Sequence, residues 1–115
     1  MEISKKDIEN VSVIAVSGRV DSISSNKLGM VISEAIEKNQ RVIIDLAETE
    51  YICSSGLRVL LDGLKKLQAK KGEMRLISLQ PVVRDVFNIS GLSNLFSIHG
   101  NLKGALESFA PSNKG

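Results

Sequence analysis

The sequence of 115 residues predicts a single α/β domain, a mixed β-sheet with helices packed on it, from three patterns. Short runs rich in β-branched residues predict strands, and apolar residues at helical spacing predict helices. The two kinds of segment alternate, and residues 41–79 follow the order strand, helix, strand, which requires a right-handed crossover and parallel pairing. We expect four to five strands and about four α-helices within residues 1–110, followed by a flexible polar tail at residues 111–115.

The first third of the chain predicts a strand pair and a helix. The apolar run at residues 11–16 predicts a strand that ends at a turn at Ser17 and Gly18, and the weaker segment at residues 3–8 is expected to pair with it as a hairpin. Capping residues at positions 22–26 then precede an amphipathic helix that runs to Lys38 and Asn39.

The middle of the chain predicts a buried strand, a helix and a second buried strand. The continuous apolar run at residues 42–46 is typical of a central strand covered on both faces. A leucine stripe at residues 57–67 predicts a second amphipathic helix that ends near Gly72, and its exposed face is expected to carry the lysines at positions 65, 66, 70 and 71. Residues 74–79 predict the strand that follows.

The last third predicts two helices around a short strand. Pro81 suits the first turn of a third helix, and Gly91 suits its C-cap. Residues 95–98 predict a final strand, with His99 in an exposed loop just beyond it. Apolar residues at helical spacing up to Phe109 predict a closing helix.

Composition excludes several classes of function. The formal net charge is only +2 and aromatic residues make up 3%, so no basic and aromatic surface for nucleic acid is expected. A single cysteine, Cys53, and a single histidine, His99, leave no disulfide and too few ligands for a transition metal. No apolar stretch approaches the ~20 residues of a membrane span. We therefore expect a cytoplasmic protein that uses no metal or cofactor and binds neither membrane nor nucleic acid.

The segment at residues 51–57 is the most informative for function, because it joins the carboxyl end of a central strand to the leucine-striped helix. Ligand sites of open α/β sheets form at such ends. A hydroxyl at Ser54 would face unpaired backbone N–H groups and the positive end of the helix dipole, which would stabilise a phosphate there. The alternative is that Ser54 or Ser55 only caps the helix.

Several segments together resemble a known family, the STAS domain, and most closely its single-domain bacterial members, the anti-sigma factor antagonists. Order and spacing agree from about residue 11 to residue 109. The segments are Gly18-Arg19-Val20-Asp21, Val42-Ile43-Ile44-Asp45-Leu46, Tyr51-Ile52-Cys53-Ser54-Ser55-Gly56-Leu57, and Val86-Phe87-Asn88-Ile89-Ser90-Gly91-Leu92 with Leu95-Phe96. The resemblance implies a STAS-type mixed sheet and a regulatory protein that is not an enzyme.

The resemblance also implies a mechanism of partner switching. The unmodified chain would bind an anti-sigma factor that is also a serine kinase, and so release the sigma factor. Phosphorylation would end this binding, at Ser54, which aligns with the family's modified serine, or at Ser55 as second choice. A PP2C-type phosphatase would be a further partner, and the chain would be a monomer or weak dimer. The implied partner-binding residues are Asp21, Cys53, Ser54, Ser55, Gly56, Leu57 and Arg58.

One departure from the family pattern leaves alternatives open. Cys53 stands where many members carry Asp. This favours a STAS interaction module that is never phosphorylated and serves a sensory or stress-signalling assembly; a pocket for a nucleotide or another small anion is a third hypothesis. Cys53 itself is interpreted as a small buried side chain, and a catalytic pair with His99 ranks last.

Two acidic residues have alternative interpretations as well. Asp21 either shapes the partner surface beside the switch serine or belongs to the N-cap region of the first helix. Asp45 either faces the same loop or terminates the central strand. Arg58, one turn into the helix, would pair with a phosphate or with an acid of the partner, or would simply be exposed.

Overall fold

A computed structural model describes residues 1–109, which form one five-stranded sheet with four α-helices. The strand order is β1-β2-β3-β4-β5, with β1 antiparallel to β2 and all other pairs parallel. The strands are β1 Glu2–Ile8, β2 Val11–Val20, β3 Arg41–Ile52, β4 Glu73–Ile77 and β5 Ser97–His99. The helices are α1 Ser24–Lys38, α2 Ser54–Ala69, α3 Pro81–Ser90 and α4 Leu102–Glu107. The predicted fold class is thus confirmed, while the predicted tail at residues 111–115 lies outside the described residues.

The core lies on both faces of the sheet. Ile44 of β3 belongs to a large buried cluster that also contains Leu28 of α1 and Leu60 of α2. Its neighbour Ile43 belongs to a smaller cluster with Ala105 of α4. Successive side chains of a strand point to opposite faces, so the continuous apolar run of β3 is what a strand with helices on both sides requires.

The strands that lead to the site are longer than the sequence predicts. The prediction that the second strand ends at Ser17 and Gly18 is wrong, because Gly18 adopts a φ of +90° within a continuing strand rather than starting a turn. The third strand continues to Ile52 instead of ending at residue 46. Pairing between β2 and β3 shifts at two places, and each shift leaves one extra residue in β3. Each is a β-bulge, which lets the strand bend while pairing continues.

The carboxyl-terminal elements also differ in their bounds. β4 ends at Ile77, where Ser78 takes a left-handed φ of 61°. The last strand lies at Ser97–His99 rather than at residues 95–98, because a 3₁₀ turn, Leu92–Asn94, precedes it. His99 is therefore a half-buried strand residue and not an exposed loop residue. Gly91 is the expected C-cap of α3, with a φ of 80°.

Candidate functional site

The carboxyl ends of β2 and β3 bring Asp21 and Cys53 side by side. Val20 pairs with Ile52, and the Cys53 N–H donates a hydrogen bond of 3.0 Å to the Val20 carbonyl. β4 pairs with β3 only as far as Asp45, so the paired ends of β2 and β3 project beyond it. The β2–α1 and β3–α2 connections consequently form one continuous surface.

Ser54 and Ser55 open helix α2 on this surface. Cys53 is the N-cap in extended conformation, and its carbonyl accepts the Leu57 N–H at 3.0 Å. Both serine side chains are exposed, and neither hydroxyl makes a hydrogen bond within residues 1–109. The interpretation that one of them caps the helix with its side chain is therefore wrong. The first N–H groups of a helix lack intrahelical acceptors, so an anion at Ser54 would meet donors there.

Gly56 and Leu57 hold the start of α2 against the strand ends. A Cβ on Gly56 would lie 2.6 Å from Ile52 Cγ1 and 2.9 Å from Val20 Cγ1, so only glycine fits without a shift. Leu57 is 7% exposed and belongs to the large core cluster. Both residues are buried, so they support the site and do not form its surface. Cys53 is partly exposed, in contrast to the buried side chain expected from the sequence.

Asp21 caps helix α1, although it is itself exposed. Its Oδ1 accepts hydrogen bonds from the Ser24 N–H at 2.8 Å, the Ser24 hydroxyl at 2.9 Å and the Ile23 N–H at 3.1 Å. The Ser24 Oγ in return accepts the Asp21 N–H at 2.9 Å, which completes a reciprocal capping box. These hydrogen bonds, from Ser24 first and then from Ile23, lower the pKa of Asp21. Of the two interpretations that the sequence offered for Asp21, the structure therefore shows the one in which it belongs to the N-cap region of α1.

Arg58 is exposed one turn after Ser54 and makes no ion pair within residues 1–109. Asp45 lies opposite Ala15 in the sheet, and its Oδ1 accepts the Ala47 N–H at 3.0 Å. Because β3 runs on to Ile52, Asp45 does not terminate the strand; it stabilises the backbone at the first bulge. The lysines of α2 and its C-terminal turn are exposed, as predicted; they are Lys65, Lys66, Lys70 and Lys71.

Cys53 and His99 are not brought together. His99 lies on the edge strand β5, where its Nε2 is 2.9 Å from the Ser97 hydroxyl oxygen, and β4 separates this strand from β3. Within the described range no group of three or more His, Cys, Asp or Glu side chains could hold a metal ion. None of the helices in residues 1–109 is long and apolar enough to cross a membrane.

Sequence reasoning missed two exposed apolar residues next to the site. Ile23 is 82% exposed in the capped first turn of α1, and Met30 is 67% exposed two turns later. Ile23 lies among capping residues, where helical periodicity does not show which way it points. The sequence also did not reveal a cation–π contact between Arg19 and Tyr51. The Arg19 guanidinium lies 4.5 Å from the centre of the Tyr51 ring, across the ends of β2 and β3.

Comparison with known proteins places this geometry in a family. A family model described as the STAS domain matches residues 2–105. The chain is 33% identical over 110 residues, 95% of each chain, to a Bordetella bronchiseptica protein, BtrV, provisionally named an anti-sigma factor antagonist. It is 30% identical over 108 residues, 92% of each chain, to the anti-sigma F factor antagonist of Paenibacillus polymyxa.

Solved structures of similar proteins have the same fold. The crystal structure of an anti-sigma factor antagonist from Mycobacterium paratuberculosis superimposes with a TM-score of 0.84 and 27% identity, over 93% of this chain and 92% of that one. Unphosphorylated SpoIIAA shares the fold with a TM-score of 0.81 and 24% identity, over 92% and 94% of the two chains. The family model covers residues 2–105 and thus nearly the whole described range, 1–109. The chain belongs to the STAS domain family.

Proposed function

We propose that this chain is an anti-sigma factor antagonist that binds an anti-sigma factor with serine kinase activity and is switched off by phosphorylation at Ser54. The observation that carries the proposal is the exposed Ser54 hydroxyl, without a hydrogen bond inside residues 1–109, at the positive end of α2. The names of the relatives in Bordetella and Paenibacillus support the antagonist role. A PP2C-type phosphatase would restore the free hydroxyl.

The charge of a phosphate explains why phosphorylation would weaken binding to the anti-sigma factor and leave the fold intact. A phosphate adds about −1.5 to −2 charge, which nearly cancels the formal net charge of +2. In the free protein the dianion remains hydrated and also meets the N–H groups at the start of α2. In a complex it would have to lose water, at a cost of several kcal/mol if unpaired. Affinity therefore falls by orders of magnitude, while the fold is retained.

Mapping the modified residue tests the site. The purified chain is incubated with ATP and the serine-kinase anti-sigma factor from the same organism, and the product is digested and analysed by mass spectrometry. We expect one phosphate per chain, on Ser54, and none in Ser54→Ala. Phosphate found only outside Ser54 and Ser55 would reject the assignment.

Two substitutions at Ser54 test the switch itself. Ser54→Asp should weaken binding to the anti-sigma factor by at least about 10-fold, since it adds a desolvation cost, whereas Ser54→Ala should bind like the wild type. Titration calorimetry measures both. Ser4→Asp is the matched control, because it adds the same charge at another exposed serine, on β1.

The constitutive interaction module is the competing function, and Cys53 at the usual position of an acid favours it. It predicts equal affinity for the wild type, Ser54→Asp and Ser54→Ala. It also predicts no phosphate at Ser54 after incubation with the kinase, so the two experiments together separate the two functions.

A further inference from the structure

The first two turns of α1 expose an apolar stripe. The apolar stripe consists of Ile23 and Met30. Ile23 already has helical backbone angles, so these two residues, seven positions apart, share one face of the helix, with the charged Lys27 between them. Ile23 is 82% exposed and Met30 is 67% exposed. Both are therefore free of the core and available to another molecule.

The capping box fixes the position of this stripe. Asp21 Oδ1 holds the N–H groups of both Ile23 and Ser24, at 3.1 and 2.8 Å. The backbone that carries Ile23 is thus ordered before anything binds. Burying a side chain on a preorganised backbone costs less conformational entropy than burying one on a mobile loop, which favours Ile23 as an anchor.

A groove connects the stripe with helix α2. It has a volume of about 450 Å³, and Asn26 and Met30 line it on α1, opposite Val59 and Asp62 on α2. The two helices approach closely at Gly29, where a Cβ would lie 3.5 Å from the methyl groups of Val59.

The α2 side of the groove extends towards Ser55 and its neighbour Ser54, at the start of this helix. Ser55, Val59 and Asp62 lie four and three residues apart on α2, so they share one face of that helix. At the opposite end, the Lys66 ammonium group donates a hydrogen bond of 3.4 Å to the Ser33 hydroxyl and bridges the two helices. The apolar stripe, the groove and the first turn of α2 are therefore parts of one surface.

We propose that Ile23 and Met30 are the apolar anchors by which this chain docks onto the anti-sigma factor, with the groove between α1 and α2 receiving side chains of that partner. The inference rests on the proposed function. The groove side of α2 begins at Ser55, directly after Ser54, so a partner that senses phosphate at Ser54 also covers the stripe. Apolar contact expels water, and this makes a dianion at the edge of the same contact costly.

The two apolar anchors determine what kind of surface the partner must have. The facing surface of the anti-sigma factor must offer apolar pockets for an isoleucine and a methionine. A few residues that become fully desolvated in such pockets usually supply most of the binding energy of an interface.

Calorimetric titration of the anti-sigma factor with the unphosphorylated variants Ile23→Ala, Met30→Ala and the double variant tests the inference. We expect each single variant to bind about 10-fold more weakly and the double variant about 100-fold more weakly. The matched control is Ile89→Ala, because Ile89 is 87% exposed on α3 and does not line the groove. Thermal unfolding should show unchanged midpoints, since Ile23 and Met30 are exposed.

Four results would overturn the inference. If the double variant binds like the wild type while Ser54→Asp still weakens binding, the anchors are wrong and the proposed function stands. If Ile89→Ala weakens binding as much as Ile23→Ala, the surface is wrongly placed. If sedimentation shows a wild-type dimer that Ile23→Ala dissociates, the stripe binds a second copy of this chain. Failure of the wild type to bind the anti-sigma factor would reject the proposed function and this inference together.

Discussion

Ser54 and Asp21 lie at neighbouring strand ends and differ in their hydrogen bonding. The Ser54 hydroxyl is exposed and has no hydrogen-bond partner within residues 1–109, so modifying it breaks no existing hydrogen bond. The Asp21 carboxylate lies beside the same loop and accepts hydrogen bonds from three donors. Asp21 therefore fixes the backbone of the β2–α1 connection, whereas the Ser54 hydroxyl is available for the proposed phosphorylation. The sequence predicted Ser54 between a strand and a helix and left two interpretations for Asp21, but it did not show that Asp21 makes hydrogen bonds and that the Ser54 hydroxyl makes none.

Replacing Asp21 should reveal its capping role through pH. Asp21→Ala loses the cap and should lower the thermal midpoint at pH 7, whereas Asp21→Asn keeps an acceptor and should lower it less. The folded state depresses the pKa of Asp21, so its ionic contribution is fully present above the ordinary pKa and is lost as the pH falls through the lower folded value. The stability difference between the wild type and Asp21→Asn should therefore shrink below about pH 4.

Urea unfolding at pH 7 and at about pH 3 measures this difference. Asp62→Asn is the control, because it removes an equal charge from the exposed face of α2. An Asp21→Ala variant as stable as the wild type at pH 7 would show that the capping box contributes nothing.

At the scale of the element, the part of β3 beyond residue 46, which runs to Ile52, positions the site. The apolar run at residues 42–46 predicts only the first half of this strand, because the second half alternates with exposed polar residues such as Glu48 and Glu50. Pairing with β2 maintains that half as a strand, and the buried Thr49 hydroxyl donates a hydrogen bond of 2.7 Å to the Val16 carbonyl between the bulges. Such pairing is long-range, so a local pattern does not reveal it. Helices α1, α2 and α3 were predictable because each has a long apolar stripe.

The junction between β3 and α2 tolerates no side chain at Gly56. A Cβ there would lie 2.6 Å from Ile52 and 2.9 Å from Val20, so Gly56→Ala should force the helix start away from the strands. Overpacking of this kind costs about 1–3 kcal/mol. The free energy of unfolding, from urea titration, should fall by that amount.

Gly100→Ala is the matched control, because a Cβ at Gly100 meets no atom within 4 Å. It should leave the free energy of unfolding unchanged within about 0.5 kcal/mol. Equal stability of Gly56→Ala and the wild type would mean that α2 does not pack on the strand ends as described.

At the scale of the whole molecule, the fold separates Ser54, the proposed site of phosphorylation, from the core. The β2–β3 ends project beyond β4, and Ser54 lies on the exposed side of a helix whose buried side is fixed by Leu57, Leu60 and Leu64. A charge added at Ser54 is therefore outside the packed interior. The phosphorylated and free chains should differ in surface charge and have the same architecture.

Phosphorylation should consequently leave the stability nearly unchanged or slightly raised. A phosphate at the start of α2 interacts favourably with the helix dipole by about 0.3–1 kcal/mol, and a domain of this size shifts its thermal midpoint by roughly 4–8 °C per kcal/mol. We expect a rise of a few degrees at low ionic strength, measured by scanning calorimetry, and a smaller rise at about 0.5 M salt because the interaction is screened. Ser54→Ala treated with the kinase controls for modification elsewhere. A large fall in the midpoint of the phosphorylated wild type would mean that the switch works by unfolding the site, which the exposed position of Ser54 argues against.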